Sequence, residues 1–142
     1  MKKGKALKLI IDTNLWISFI ISKKQQLIDP LLYSEEARLL FSKELIAEIN
    51  QTITKPKLKR YFSTNALEEM LLAFDPFIDF IEVKSIVTIC RDAKDNFLLA
   101  LAKDGEADYL LTGDKDLLDL KKFGMTKIHT ISEFISSAKE NR

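Results

Sequence analysis

Leu7-Lys8-Leu9-Ile10-Ile11-Asp12-Thr13-Asn14 is the stretch that decides the fold. A short apolar run that ends on a carboxylate, a hydroxyl and an amide reads as a buried strand stopping where polar chemistry begins. The same design returns near the other end of the chain, in Asp108-Tyr109-Leu110-Leu111-Thr112-Gly113-Asp114-Lys115-Asp116. If both runs are parallel strands of one sheet, Asp12 and Asp114 emerge at the same carboxyl edge, where open α/β sheets hold their ligands. Acids gathered there point to a metal site.

Between these runs, strand-like and helix-like segments alternate, the pattern of a mostly parallel sheet with helices on its faces. The expected strands are 8–12, 38–41, 77–83, 107–112 and 127–130, and the expected helices are 15–21, 27–33, 43–54, 66–74 and 96–103. Ser42 and Asn65 are placed as N-caps, and Asn65 with Glu68 three residues on resembles a capping box. Thr130-Ile131-Ser132-Glu133 reads as a second box, opening a final helix with Phe134 and Ile135 on its apolar side. The expected fold class is α/β: a single-domain α/β/α sandwich around a central sheet of about five strands.

With 142 residues, 46% of them hydrophobic, the chain has the length of one domain, 1–142, and enough apolar content for a proper core. A net charge of +1 over a 30% charged composition gives no overall field toward nucleic acid, so any polyanion must be held locally. Cys90 is the single cysteine, which forbids an intrachain disulfide and favours a reducing compartment. It ends a strand-like run, 85–90. Lys2, Lys3, Lys5 and Lys8 precede apolar residues as in a secretory signal, but Asp12, Thr13 and Asn14 interrupt the apolar core. The most apolar stretch, 70–83, contains Asp75, Pro76, Asp79 and Glu82, and no run approaches the roughly 20 residues of a membrane span. A cytoplasmic protein without a membrane segment is the expectation.

Two further acidic regions join the first two. On the helix after Ser42, Leu45, Ile49 and Ile53 form one stripe, with Glu48 roughly 60° from Leu45 and Glu44 roughly 100° away. Glu48 therefore borders the buried face, and Glu44 reads as a favourable charge at the helix N-terminus. In Arg91-Asp92-Ala93-Lys94-Asp95-Asn96-Phe97-Leu98-Leu99, Asp95 heads the face that packs inward, while Asp92 lies outside that turn. Singly, Asp12, Asp92, Asp95 and Asp114 are explained as helix caps or dipole partners. Capping does not require acids, however, and carboxylates brought within about 4 to 6 Å raise one another's pKa unless a cation compensates. An all-oxygen set favours Mg²⁺ or Mn²⁺ over Zn²⁺.

Taken in order, Asp12-Thr13-Asn14, the Ser42 to Glu48 helix region, Asp92 to Asn96 and Ala107 to Leu118 make the chain resemble PIN-domain ribonucleases, close to the subgroup of toxins from toxin–antitoxin systems. The resemblance covers nearly the whole chain. Carried across by position, the family's acidic quartet falls on Asp12, Glu48, Asp95 and Asp114, with Asp116 as an additional acid and Thr112 as a supporting hydroxyl. Asn14 completes the first motif, and Asp92 stands beside Asp95. The resemblance implies Mg²⁺- or Mn²⁺-dependent cleavage of single-stranded RNA to a 5′-phosphate and a 3′-hydroxyl. Asp12 and Asp114 would be principal ligands, Asp95 a ligand or water-positioner, and Glu48 a second-site ligand or general base. It also implies a small antitoxin partner and a homodimer.

The densest basic stretch, Lys55-Pro56-Lys57-Leu58-Lys59-Arg60-Tyr61-Phe62, offers cations and aromatics for RNA, with Lys57, Lys59 and Arg60 as the candidate phosphate contacts. The alternative is a solvated surface with Leu58, Tyr61 and Phe62 turned to the core. Lys23, Lys24, Lys121 and Lys122 read as solubilising charges, Trp16 as core packing and His129 as a strand residue. One histidine and four glycines leave no triad and no phosphate loop of recognisable pattern. Two other functions stay open: a related carboxylate-site hydrolase acting on DNA or phosphate monoesters, and a non-catalytic RNA-binding module. Asp12-Thr13-Asn14 is not Asp-x-Asp, which disfavours an aspartyl-phosphate phosphatase, and acids at all four quartet positions disfavour a degenerate site.

Overall fold

The Leu7–Ile11 run is a strand, β1, and its last three residues are buried. Burying each of these aliphatic side chains is worth about 1.5–3 kcal/mol, which is why a near-continuous apolar run, not an alternating one, marks a central parallel strand. The computed structural model describes residues 6–22, 28–90 and 92–140, without the side chains of 138–140. Lys2, Lys3, Lys5, Lys23, Lys24, Leu27 and Arg91 lie outside the described residues.

After β1 come α1 (Thr13–Ser22), α2 (Asp29–Tyr33), β2 (Ala37–Phe41), α3 (Lys43–Ile53), α4 (Pro56–Lys59) and α5 (Ala66–Phe74). A 3-10 turn (Asp75–Phe77) leads into β3 (Ile78–Phe80), and a second (Ala93–Asp95) into α6 (Asn96–Gly105). The chain continues through β4 (Tyr109–Leu111), α7 (Lys115–Leu118), β5 (Lys122–Phe123), β6 (Thr126–His129) and α8 (Ile131–Glu140). Among the described residues the strands form one six-stranded sheet in the order β3-β2-β1-β4-β6-β5, parallel except for β5 against β6. The connections from β1 to β3 run one way across the sheet and the connection from β3 to β4 runs back. Right-handed crossovers therefore put helices on both faces, and the direction reverses between β1 and β4. Among the described residues, no helix is long and apolar enough to cross a membrane.

The core is continuous from β1, β2 and β4 to the inner faces of α1, α3 and α6. Trp16 is 1% exposed. It packs against Phe19, Phe41 and Phe74 with ring centroids 5.9, 5.4 and 5.2 Å away, the core role read from the sequence. Gly105 ends α6 in close quarters: a Cβ there would come within 2.7 Å of Leu40 Cδ1.

Several expectations need correction. The sheet has a sixth strand, the two-residue antiparallel β5, too short to show a pattern. The expected 77–83 strand is only Ile78–Phe80. The 85–90 run is not a strand, although its neighbourhood alternates half-buried and exposed residues. Its backbone is tied to a side chain instead of a neighbouring strand: Asp104 accepts from the N–H groups of Lys84 and Ser85 and from the Ser85 hydroxyl. Asn65 precedes α5 but makes no side-chain cap, its backbone being turned out of the extended conformation a cap needs. Ser42 does cap α3, accepting from Leu45 N at 3.2 Å. The Thr130–Glu133 box closes reciprocally at 2.8 and 3.1 Å.

Candidate active site

Because Ile11 and Leu111 are register partners, the residues that follow them, Asp12 and Thr112, stand side by side where the sheet reverses direction. The Asp12 N–H continues the ladder to Leu111 O at 3.1 Å. Asp12 is 6% exposed and both of its oxygens are held. Oδ1 accepts from Leu15 N at 2.8 Å, capping α1, and Oδ2 accepts from the Thr112 hydroxyl. The same hydroxyl oxygen accepts from Asp114 N at 2.9 Å, so Thr112 joins the two acidic positions. Burial pushes the Asp12 carboxyl above its ordinary range; the Thr112 and Leu15 hydrogen bonds oppose this and the Asp114 charge adds to it.

Asp114 caps α7, accepting from Asp116 N on Oδ1 at 2.8 Å, and Asp92 caps the 3-10 turn through Lys94 N at 3.0 Å. Capping thus accounts for Asp12, Asp92 and Asp114. Asp95 is different. It stands at the N-cap position of α6 yet makes no cap bond, and its Oδ2 is buried without a partner. Its carboxyl pairs with that of Asp114. Burial, then the Asp114 hydrogen bond and charge, then the charges of Asp92 and Asp12, push it up to about 7. Cys90, buried beside them, has its thiol raised by burial and then by Asp95, Asp114, Asp116 and Asp92, so it stays protonated.

The fold therefore brings Asp12, Thr112, Asp114 and Asp95 together, with Asp92 and Asp116 at their margins. Glu48 is half-buried on α3, which packs against α1 and α6, but no hydrogen bond or ion pair among the described residues joins it to the aspartates. One turn earlier, Glu44 has a buried Oε1 without a partner, which its reading as a simple N-terminal charge did not anticipate. A cleft of about 340 Å³ opens onto the group, lined by Asp12, Asn14, Leu15, Ser18, Gly113 and Asp114. Sequence reading missed Leu15 and Ser18. The signal was present, since Asn14 and Ser18 share a helix face with Leu15 beside them. In the basic arm, Lys57, Lys59 and Arg60 are exposed on and just after α4. Leu58 and Phe62 pack on the core, while Tyr61 is turned to solvent.

Among the described residues, no three His, Cys, Asp or Glu side chains stand as a finished metal cage. The donor chemistry nevertheless fits a hard cation. Every acidic donor here is an oxygen, one oxygen of Asp95 is buried without a partner, and burial with the neighbouring Asp114 carboxyl pushes the Asp95 pKa up, a cost that a cation offsets.

The sequence profile of the PIN domain matches residues 8–116. The uncharacterized protein MJ1680 of Methanocaldococcus jannaschii is 31% identical over 119 residues, spanning 81% of this chain and 76% of that protein. Among solved structures, VapBC2 from Rickettsia felis bound to a DNA fragment from their promoter is similar with a TM-score of 0.62 at 13% identity. The match covers 87% of this chain and 98% of that one, a likeness of fold. PIN domains are nucleases, and that class of phosphodiester hydrolase is what the match supports. The profile spans both strand-end motifs and every acid from Asp12 to Asp116, and the chain belongs to the PIN domain family.

Proposed function

We propose that the chain is a metal-dependent endoribonuclease that cleaves single-stranded RNA and serves as the toxin of a toxin–antitoxin pair. One observation carries the reading: Asp95 heads a helix without capping it and is pressed against Asp114 with an oxygen buried and unpaired. That arrangement is costly in the free protein, and a divalent cation relieves it.

Asp12, Asp95 and Asp114 would hold the Mg²⁺ or Mn²⁺, with Glu48 and Asp116 as further ligands; the ion supplies charge neutralisation and lowers the pKa of an attacking water. The chain's own part is positioning. Two donors lock the Asp12 carboxylate, Thr112 sets the distance between the two strand-end acids, and Asn14 and Gly113 line the approach. Asp95 retains a proton up to about pH 7 in the free protein. It must give that proton up to act as a ligand, so cation affinity rises with pH until about that value. Lys57, Lys59 and Arg60 contribute phosphate contacts. The antitoxin reading is supported by the fold likeness to a VapBC complex. The implied partner is a small protein that covers the acidic cleft.

The deciding experiment incubates the protein and its Asp114→Asn variant with end-labelled single-stranded RNA in EDTA, Mg²⁺ or Mn²⁺. Metal-dependent products with 5′-phosphates, absent with the variant, are expected. Cleavage that survives EDTA or Asp114→Asn overturns the site, and parallel single-stranded DNA and phosphomonoester substrates separate the related hydrolases. In the same preparations, cation at 100 times its Kd should stabilise the wild type by about 2.7 kcal/mol, a gain that Asp12→Asn and Asp114→Asn largely lose.

A further inference from the structure

A second cavity, of about 390 Å³, lies between α1 and α5 on the far side of α1 from the acidic cleft. Trp16 and Phe19 come from α1, Tyr61 and Phe62 from the segment after α4, and Met70 and Phe74 from α5. We propose that this cavity receives one unstacked base of a single-stranded RNA while the arm around α4 holds the adjoining phosphates. The inference rests on the nucleic-acid reading above and names where that substrate is gripped.

Three observations favour a base. First, the walls are aromatic and one of them is free: Tyr61 is 53% exposed although it borders an apolar cavity. Base–aromatic stacking is the usual way single strands are held without a fixed sequence. Second, that ring is set in place before anything binds. The Arg60 guanidinium lies 4.9 Å from its centroid and donates to the Tyr61 hydroxyl at 3.0 Å, so little order remains to be imposed. Third, the charge complements a polyanion. Lys55, Lys57, Lys59 and Arg60 are all exposed, and the chain from Ile49 to Leu67 contains no acidic residue. This local excess, in a molecule whose net charge is +1, matches a phosphate backbone better than an uncharged peptide.

At the rim, the Ser63 hydroxyl donates to Glu69 Oε1 at 3.3 Å, leaving a carboxylate to accept from the exocyclic amino group of a base. Asn14, Leu15 and Ser18 face the cleft while Trp16, Phe19 and Ile20 face the cavity. The two sites are thus separated by about one helix diameter, ~10 Å. A base held here belongs to a nucleotide flanking the scissile one.

Trp16 is the only tryptophan in the sequence and forms part of the wall, so its fluorescence reports occupancy. The protein, in EDTA, is titrated with octaadenylate and with an octamer of the same sugar–phosphate backbone lacking bases. Octaadenylate should change the Trp16 emission and bind at least about tenfold more tightly than the abasic chain, a difference lost in Tyr61→Ala and kept in Tyr61→Phe. Lys57→Ala with Lys59→Ala should weaken both ligands alike and flatten the salt dependence. Equal binding of the two octamers, or an unchanged preference in Tyr61→Ala, overturns the proposal. So does emission that responds to protein concentration or to an amphipathic peptide but not to octaadenylate, an outcome that assigns the cavity to a protein. Cleavage without a base preference sinks the pocket alone, whereas a base preference without cleavage sinks the nuclease alone.

Discussion

Asp95 carries a pKa of about 7 in the fold against an ordinary 3.8, so the folded chain binds the extra proton between those values. Its favourable contribution is complete below about pH 4 and is lost as pH rises through 7. Asp95→Asn should therefore stabilise the metal-free protein at pH 8 by about 1–2 kcal/mol, a value discounted for the solvent reaching this partly exposed carboxyl, and do almost nothing at pH 3.5. Urea unfolding at the two pH values checks this, and saturating Mg²⁺ should reverse the sign at pH 8. Thr112 is 1% exposed and serves both Asp12 and Asp114 N–H. Thr112→Val should cost about 2–4 kcal/mol because it leaves the buried Asp12 carboxylate and the partly buried Asp114 N–H without their partner, with Thr112→Ser recovering most of it. A valine variant as stable as the wild type would mean that the hydroxyl is not the link between the strand ends.

At the scale of elements, Glu106 closes α6 in the left-handed conformation, φ 54° and ψ 51°, which glycine adopts without strain. Glu106→Gly should raise stability by about 0.5–1 kcal/mol, read as a higher urea midpoint at unchanged slope. Local chemistry of this kind was partly legible beforehand. The box at Thr130 and Glu133 was readable because both partners lie within one turn. The same spacing at Asn65 and Glu68 misled, because a turn from Ser63 to Ala66 sets the entry to α5. Strand-end acids could be found because each follows a near-continuous apolar run that marks a buried parallel strand. The fate of 85–90 could not, since the Asp104 carboxylate that captures Ser85 is 19 residues away and nothing in either segment names the other. The four-residue α4 is barely one turn, far shorter than the window of about 11 residues over which a helical period can be read. Ser18 and the buried oxygen of Glu44 became visible only with the packing around them.

Across the whole molecule, β1 and β4 have neighbours on both sides while β3 and β5 are the sheet's edges. Amides of Ile10 and Leu110 should exchange with deuterium only through global unfolding, and those of Phe80 and Phe123 far sooner. Comparable protection at edge and centre would contradict the strand order. The topology has a temporal consequence as well. Asp12 and Thr112 are 100 positions apart, and their contact forms only when β4 docks on β1. Contacts this distant in sequence are late and slow to form, and a growing chain acquires them at the pace of translation. Until β4 has been made and has docked, the nascent polypeptide thus carries scattered carboxylates and no assembled centre.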